Sequence, residues 1–196
     1  MYHKDKLLSE DQKPDVYKIF DSIVADVPAG SNKVIFAPWL FGERAPVEDP
    51  TVRGGLFNIG LNVDRRHILR AIFEGVAMNS RWVLEFEEKL SGSRFESVNL
   101  IGGGATSDIW CQIYADILNR PVNQIDRAKQ ANSIGAAFIA SVALGEIQWN
   151  DISQLVHFKH TYTPQPENRE IYDQLFKEFV HIYYNNKKMY RRLNKF

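Results

Sequence analysis

Between Leu100 and Trp110 the sequence reads LIGGGATSDIW: an apolar strand end, three successive glycines, then residues suited to start a helix. Glycine allows a turn with φ > 0 and lets a ligand come close to the main chain. The helix that follows would offer unpaired N–H groups and the positive end of its dipole. Gly102, Gly103, Gly104 and Ala105 are therefore candidate backbone contacts for a phosphate or a nucleotide. Thr106 or Ser107 would cap the helix, and Ser107 and Asp108 are the nearest side chains. The spacing is neither GxGxxG nor GxxxxGK followed by Ser or Thr, so it indicates neither a dinucleotide fold nor a P-loop NTPase. By spacing alone a tight structural turn is an equal alternative. A second stretch, ANSIGAAFIAS over 131–141, has Ile134 beside Gly135, Ala136, Ala137 and Ala140, which leave one helix face nearly flat. Such a face can lie against a helix, a strand or a planar base, and from the residues alone plain helix-on-sheet packing is the favoured reading.

Other groupings point less firmly to chemistry. The loop 42–55, GERAPVEDPTVRGG, is dense in Gly, Pro and charge, as functional surface loops often are. Its plain reading is a connector in which Glu43, Arg44, Asp49 and Arg53 form local ion pairs. His67 stands alone on a helical pattern, and Glu87-Glu88 fits a solvated helix face. His157 and His160 have i, i+3 spacing with no third ligand near them in sequence. The basic tail Lys187, Lys188, Arg191, Arg192 and Lys195 suits a solvated helix end and its dipole. No Ser-His-Asp or Cys-His arrangement stands out, so the residues themselves name no catalytic side chain and no metal ligand.

The elements that would carry these groups follow from periodicity. Val16, Ile19, Phe20, Ile23 and Val24 recur at helical spacing. Residues 33–40 read as a short buried strand that Pro38 ends or places at an edge. Residues 56–63 read as a strand with a turn-like Asn58, and Asp64 as the N-cap of a long helix over 65–90, stopped at Ser91-Gly92-Ser93. Strands are expected at 97–101 and 121–125, with helices at 108–118, 132–144 and 166–193. This alternation predicts an α/β layer architecture.

Bulk properties narrow the class. The chain has 196 residues, which suggests one domain or little more. Its 24 Lys+Arg balance 24 Asp+Glu, which argues against a nucleic-acid partner. With 12% aromatics the chain is not of the disordered class. One cysteine, Cys111, rules out an intramolecular disulfide. The least polar run, Ile134–Gly145, is far below the roughly 18 apolar residues of a membrane span. The first ten residues lack an apolar signal core, and the expectation is a soluble cytoplasmic protein.

Four blocks in order resemble the C-terminal domain of the FGGY family of carbohydrate kinases, on the xylulokinase-like side. They are FAPWLFGERAPVEDPTVRGG, RRHILRAIFEGVAMNSRWVLE, LIGGGATSDIWCQIYADILNRPV and ANSIGAAFIA. The resemblance implies an actin-like, ribonuclease H-like ATPase fold, present here as a partial C-terminal domain. It divides the chain into a polar, helical segment 1–32 and a nucleotide-binding domain 33–196. Gly54, Leu56, Ile59, His67, Ile68, Ala71, Ile72, Phe73 and Glu74 match the family's second signature, with Asn58 where the signature has Gly.

The resemblance also implies an activity: transfer of the ATP γ-phosphoryl group to a sugar or polyol hydroxyl, a pentulose such as xylulose being favoured. Gly102, Gly103, Gly104 and Ala105 look like the adenosine motif, and Ser107 or Asp108 would follow it. The helix with Ile134 and Gly135 looks like the one that borders the adenine. ATP and Mg²⁺ are the implied cofactors. The sugar would be held mainly by an N-terminal domain with no counterpart in this sequence. No Gly-Asp-x-x-x-Ala segment, which carries the family's general-base aspartate, appears either. Glu43, Arg44 and His67 look architectural. The expectation is half of a kinase site, inactive alone, with a homodimer open; a non-catalytic actin-like binding or assembly module is the alternative.

Overall fold

A computed structural model describes residues 15–195. The longest element is the one Asp64 starts. Its carboxylate accepts from the amides of Arg66 and His67, and the His67 imidazole accepts from the Asp64 amide, a capping box. Helix α2 (Arg65–Ser91) runs 27 residues and stops at Gly92, whose φ of 69° ends the helix in the left-handed region. His67 is thus a capping residue. The shorter helix α1 (Val16–Ala25) is capped by Asp15 and delivers Val24 to the core.

Strand β1 (Ile35–Ala37) pairs antiparallel with β2 (Gly55–Phe57), Phe36 opposite Leu56. Gly75 lies where α2 crosses β1, since a Cβ there would overlap the Phe36 carbonyl. Both strands are shorter than their apolar runs predict. Pro38 ends β1, and Asn58, at φ 61°, turns the chain out of β2. Asn tolerates that conformation better than most residues, and its Nδ2 donates to the Lys33 carbonyl at 3.0 Å.

The loop between β1 and β2 corrects one expectation. Glu43, Arg44, Asp49 and Arg53 form no ion pairs with one another. The Glu43 and Asp49 backbones bond reciprocally at 3.0 and 2.9 Å. The Glu43 carboxylate accepts from the Arg44 and Ala45 amides and from Asn79 Nδ2 at 2.8 Å, tying the loop to α2. Arg53 donates to the Pro50 and Val52 carbonyls. A loop satisfies its own backbone first, and these side chains do so here.

Strand β3 (Val98–Leu100), helix α3 (Asp108–Leu118) and strand β4 (Val122–Ile125) form a parallel βαβ unit, with Asn99 opposite Asn123. Strand β5 (Phe158–Tyr162) adds antiparallel to β4, giving the order β3-β4-β5. Helices α4 (Ala131–Ala143) and α5 (Ile152–Leu155) lie between β4 and β5 in sequence. Helix α6 (Arg169–Leu193) follows a short 3-10 turn over 166–168. Its Tyr172, Leu175, Phe176, Phe179 and Tyr183 pack on Phe73, Ala77, Met78 and Trp82 of α2 and on Trp39, forming the main core. A smaller cluster of Ala115, Leu118 and Val122 joins α3 to β4.

Ion pairing is concentrated beneath α2. Glu74 Oε1 accepts from Arg70 Nε at 2.7 Å, from the Tyr172 hydroxyl at 2.8 Å and from the Gly30 amide at 2.9 Å. Its Oε2 accepts from Ser31 Oγ at 2.6 Å. Arg70 also donates to the Val24 and Val27 carbonyls. One buried pair thereby fastens α1, α2, α6 and a turn in which Gly30, Ser31, Asn32 and Lys33 all have positive φ.

Candidate functional site

The main chain leaves β3 at Leu100, passes the half-exposed Ile101 and turns at Gly102, whose φ is 86°. The Gly102 amide donates to the Ala128 carbonyl at 2.9 Å, pinning the turn to the segment before α4. Gly103, at φ −63° and ψ −40°, begins a 3-10 turn over Gly104–Thr106 that leads into α3. Thr106 N and Ser107 N bond back to Gly103 and Gly104. The amides of Gly103, Gly104 and Ala105 have no acceptor among the described residues. They are the free donors that the start of a helical turn leaves behind.

The three glycines have different reasons to be glycine. Gly102 holds a left-handed φ. A Cβ on Gly103 would meet nothing within 4 Å, so that face of the turn is open. A Cβ on Gly104 would lie 2.9 Å from the Trp110 ring. Trp110 in turn donates from Nε1 to the Phe73 carbonyl at 3.0 Å and stacks tilted on the Phe73 ring at 4.6 Å. Gly104 is therefore required by packing, and Gly103 faces outward.

Ser107 and Asp108 separate by orientation. Ser107 is buried and is the N-cap of α3: its Oγ accepts from the Trp110 amide at 3.1 Å and donates to Asp21 Oδ1 at 2.7 Å. Its hydroxyl is committed to the scaffold. Asp108 is exposed, and its Oδ1 accepts from Lys159 Nζ at 2.9 Å and from Gln124 Nε2 at 3.0 Å. The Lys159 ammonium first, and the Gln124 amide next, hold its carboxyl below the usual carboxylate range. Ala105 is buried, and its carbonyl accepts from Gln124 Nε2 at 2.8 Å.

Beside the turn lies a cavity of about 460 Å³ between the sheet and α4. Ile101 and Ile125 from the strand ends, Ile134, Gly135 and Phe138 from α4, and Val156 give it apolar walls. Asp126, Arg127 and His157 stand at its polar side. Its size and its mixture of apolar walls with few polar groups match small-molecule sites. Of the small residues Gly135, Ala136, Ala137 and Ala140, only Gly135 borders this cavity. α4 carries no charged residue, yet none of its residues is buried. Its half-buried residues Ile134, Gly135 and Phe138 line the cavity, while Ala136, Ala137 and Ala140 are exposed on its other side. Of the site residues expected from sequence, Ile134 and Gly135 line the cavity and Gly102 to Asp108 do not; the turn adjoins it through Ile101.

Several site-adjacent groups are not evident from motif reading. Gln124 and Lys159 belong to no recognisable motif; the one available signal is a polar residue inside the short strand 121–125. β5 itself is unanticipated, and the i, i+3 histidines prove to be a cavity-lining residue, His157, and a strand residue, His160, stacked edge-on against Tyr162. No group of three His, Cys, Asp or Glu residues that could hold a metal occurs among the described residues. Burial pushes the Cys111 thiol up to about 11, so it is no nucleophile at neutral pH. No helix among the described residues is long and apolar enough to cross a membrane.

Comparison with known proteins gives this geometry its context. Residues 4–144 match the model of the C-terminal domain of the FGGY family of carbohydrate kinases. The chain is 31% identical over 175 residues to the xylulose kinase of Bacillus subtilis, covering 88% of this chain and 35% of that protein. It is likewise 31% identical over 170 residues to the gluconokinase of Bacillus licheniformis, covering 86% of this chain and 33% of that one. Among solved structures, ligand-bound xylulose kinase from Lactobacillus acidophilus superposes with a TM-score of 0.79 at 28% identity, over 96% of this chain and 38% of that chain. The chain thus spans about a third of the length of the curated relatives it matches. With its family match and its α/β topology agreeing, this chain belongs to the FGGY family of carbohydrate kinases and has the partial C-terminal-domain fold of those actin-like enzymes.

Proposed function

We propose that this chain is the adenine-nucleotide half of an ATP-dependent carbohydrate kinase whose acceptor is a sugar or polyol hydroxyl, with a pentulose such as xylulose favoured. The observation that carries the reading is the open glycine turn: three adjacent amides, at Gly103, Gly104 and Ala105, with no acceptor among the described residues, next to an apolar cavity walled by Ile134 and Gly135. Amides fixed at a turn bind phosphate oxygens without reorganising. The uncharged side of α4 that lines the cavity, with Ile134, Gly135 and Phe138, suits a purine, and Asp108 offers an acceptor to a ribose hydroxyl.

In phosphoryl transfer most of the catalytic effect is positioning and charge stabilisation. ATP would supply the transferred group; this chain would orient its adenosine end and hold the α-phosphate. The resemblance assigns the general base and most sugar contacts to parts of the relatives outside this sequence, so the chain alone is expected to lack kinase turnover. Mg²⁺, also expected from the resemblance, finds no cluster of ligands among the described residues, and no step here is routed through it.

Calorimetric titration with ADP and a coupled ATP-consumption assay with xylulose, gluconate and glycerol test the reading. The expected result is micromolar ADP binding without turnover. Failure to bind ADP or ATP would refute the nucleotide reading and, with a stable oligomer, favour a non-catalytic assembly module. Robust turnover by the chain alone would refute the half-site reading.

A further inference from the structure

Gln124 lies in the middle strand of its sheet with 1% of its surface exposed. A buried amide is costly unless its polar atoms are paired, and this one is fully used. Its Nε2 donates to the Ala105 carbonyl at 2.8 Å and to Asp108 Oδ1 at 3.0 Å. Its Oε1 accepts from the Tyr162 hydroxyl of β5 at 3.4 Å. Both acceptors of the NH₂ group belong to the turn segment: Ala105 carries the last of the three amides with no acceptor among the described residues, and Asp108 is the first residue of α3. No other side chain among the described residues hydrogen-bonds to both. Strand β4 is held in register by its pairing with β3 and β5, so the side chain transfers that register to the turn at two points.

We infer that Gln124 is a positioning residue for the nucleotide: it sets the direction of the Gly103, Gly104 and Ala105 amides and the place of the Asp108 carboxylate beside them. The inference rests on the nucleotide reading of the turn. Without the NH₂ group the Ala105 carbonyl loses its amide donor. Asp108 would then keep the neighbouring Tyr162 hydroxyl and its pair with Lys159, which is more than half exposed on both sides. An exposed pair fixes a geometry poorly. The Ala105–Thr106 peptide plane, next along the chain from the plane that carries the Ala105 N–H, could then tilt and carry its neighbours with it. Donors aimed at a phosphate lose much of their effect with small misalignments.

The test is calorimetric titration of the whole chain with ADP and with adenosine, for wild type, Gln124→Met, Gly103→Val and the double variant. Methionine keeps the length and removes the donor. Gln124→Met is expected to weaken ADP about tenfold, the size of one lost charge-assisted hydrogen bond, and adenosine by less than about threefold, because adenosine leaves the phosphate-facing amides unused. The double variant is expected to bind ADP no more weakly than the weaker single variant, because both changes act on one turn. Unchanged ADP affinity in a folded Gln124→Met, additive losses in the double variant, or equal weakening of adenosine would each overturn the inference. If wild type itself binds no ADP, the nucleotide reading fails and takes this inference with it. Should Gln124→Met not fold, the assigned side-chain NH₂ resonances of Gln124 in the wild type serve instead. They are expected to shift on ADP saturation, and their staying fixed would overturn the proposal.

Discussion

Adding one methyl group at Gly103 and one at Gly104 should have opposite effects, and the contrast tests the geometry of the turn. At Gly103 the backbone is already helical, and a new Cβ meets no atom within 4 Å. Gly103→Ala therefore restricts the unfolded chain without straining the folded one, a gain of about 0.4–1 kcal/mol. At Gly104 the new Cβ would lie 2.9 and 3.1 Å from two ring atoms of Trp110. That ring cannot easily withdraw, being bonded to the Phe73 carbonyl and stacked on its ring. Overpacking of this kind costs about 1–3 kcal/mol. For a chain of this size 1 kcal/mol moves Tm by about 2–4 °C, so Gly104→Ala should melt roughly 2–12 °C lower and Gly103→Ala slightly higher. ADP affinity should not follow stability. The methyl at Gly103 projects into the open face where the nucleotide is placed, so the more stable variant should bind ADP more weakly, by about tenfold or 1.4 kcal/mol. Thermal melting with and without ADP, together with calorimetry, reads both quantities. A Gly103→Ala protein that binds ADP like the wild type would refute the placement of the nucleotide on this face. A Gly104→Ala protein with unchanged Tm would refute the packing argument.

Other expectations rest on separate parts of the molecule. Glu74→Ala should cost about 3–5 kcal/mol, because it strands the Arg70 guanidinium in a buried site; Glu74→Gln, which can still accept from the Gly30 amide, should cost less, and urea unfolding of both variants compares them. The chain should lose stability in acid. Burial raises the Asp49 and Glu88 carboxyls, but hydrogen bonds from Thr51 to the first and from Arg120 to the second outweigh it, and Lys159 lowers Asp108. Since these folded-state values lie below the unfolded ones, their stabilisation is complete only above the unfolded values, at about pH 5 and higher, and disappears as pH falls through the folded values. Tm measured from pH 7 to pH 3 should drop along that limb, and Asp49→Asn should flatten it. Cys111, with its thiol buried and raised to about 11, should resist iodoacetamide at pH 8 in the folded protein and react once unfolded; rapid alkylation of the native protein, seen by mass spectrometry, would contradict its placement.

Local signals in the sequence carry far in this protein where one residue decides one structural event. Asp64 and Gly92 bound α2, Ser107 caps α3, and Pro38 ends β1, each through its own backbone preference or hydrogen bond. The glycine turn is legible for the same reason. What is not legible depends on partners distant in sequence. Nothing near Gln124 announces that its amide will meet Ala105 and Asp108, 19 and 16 residues away. The choice between Ser107 and Asp108 is also a tertiary matter: the two neighbours point to opposite environments, one toward Asp21 of α1 and the other toward Lys159 of β5. Strand β5 is missed because FKHTY is mostly exposed and pairs only through β4, so its periodicity carries no core signal.

The division of burial between the two ends of the molecule bears on how the proposed site would work. The main core, with Trp39, Met78, Tyr172 and Phe179 almost wholly buried, lies among α2, α6 and β1. The sheet that carries the glycine turn is joined to α3 by a cluster of three buried residues, and α4 contributes none. Local stability follows buried contacts, so this end of the fold should open at a lower free energy than the α2–α6 core. A ligand spanning the turn and α4 would supply contacts that this end lacks. At 100 times its dissociation constant it would add about 2.7 kcal/mol to the stability of the bound state. That gain should be concentrated where the chain is weakest, in α4 and the cavity wall, while α2 and α6, already fixed by their own packing, have little left to gain. Nucleotide binding and ordering of the uncharged helix would on this argument be a single event.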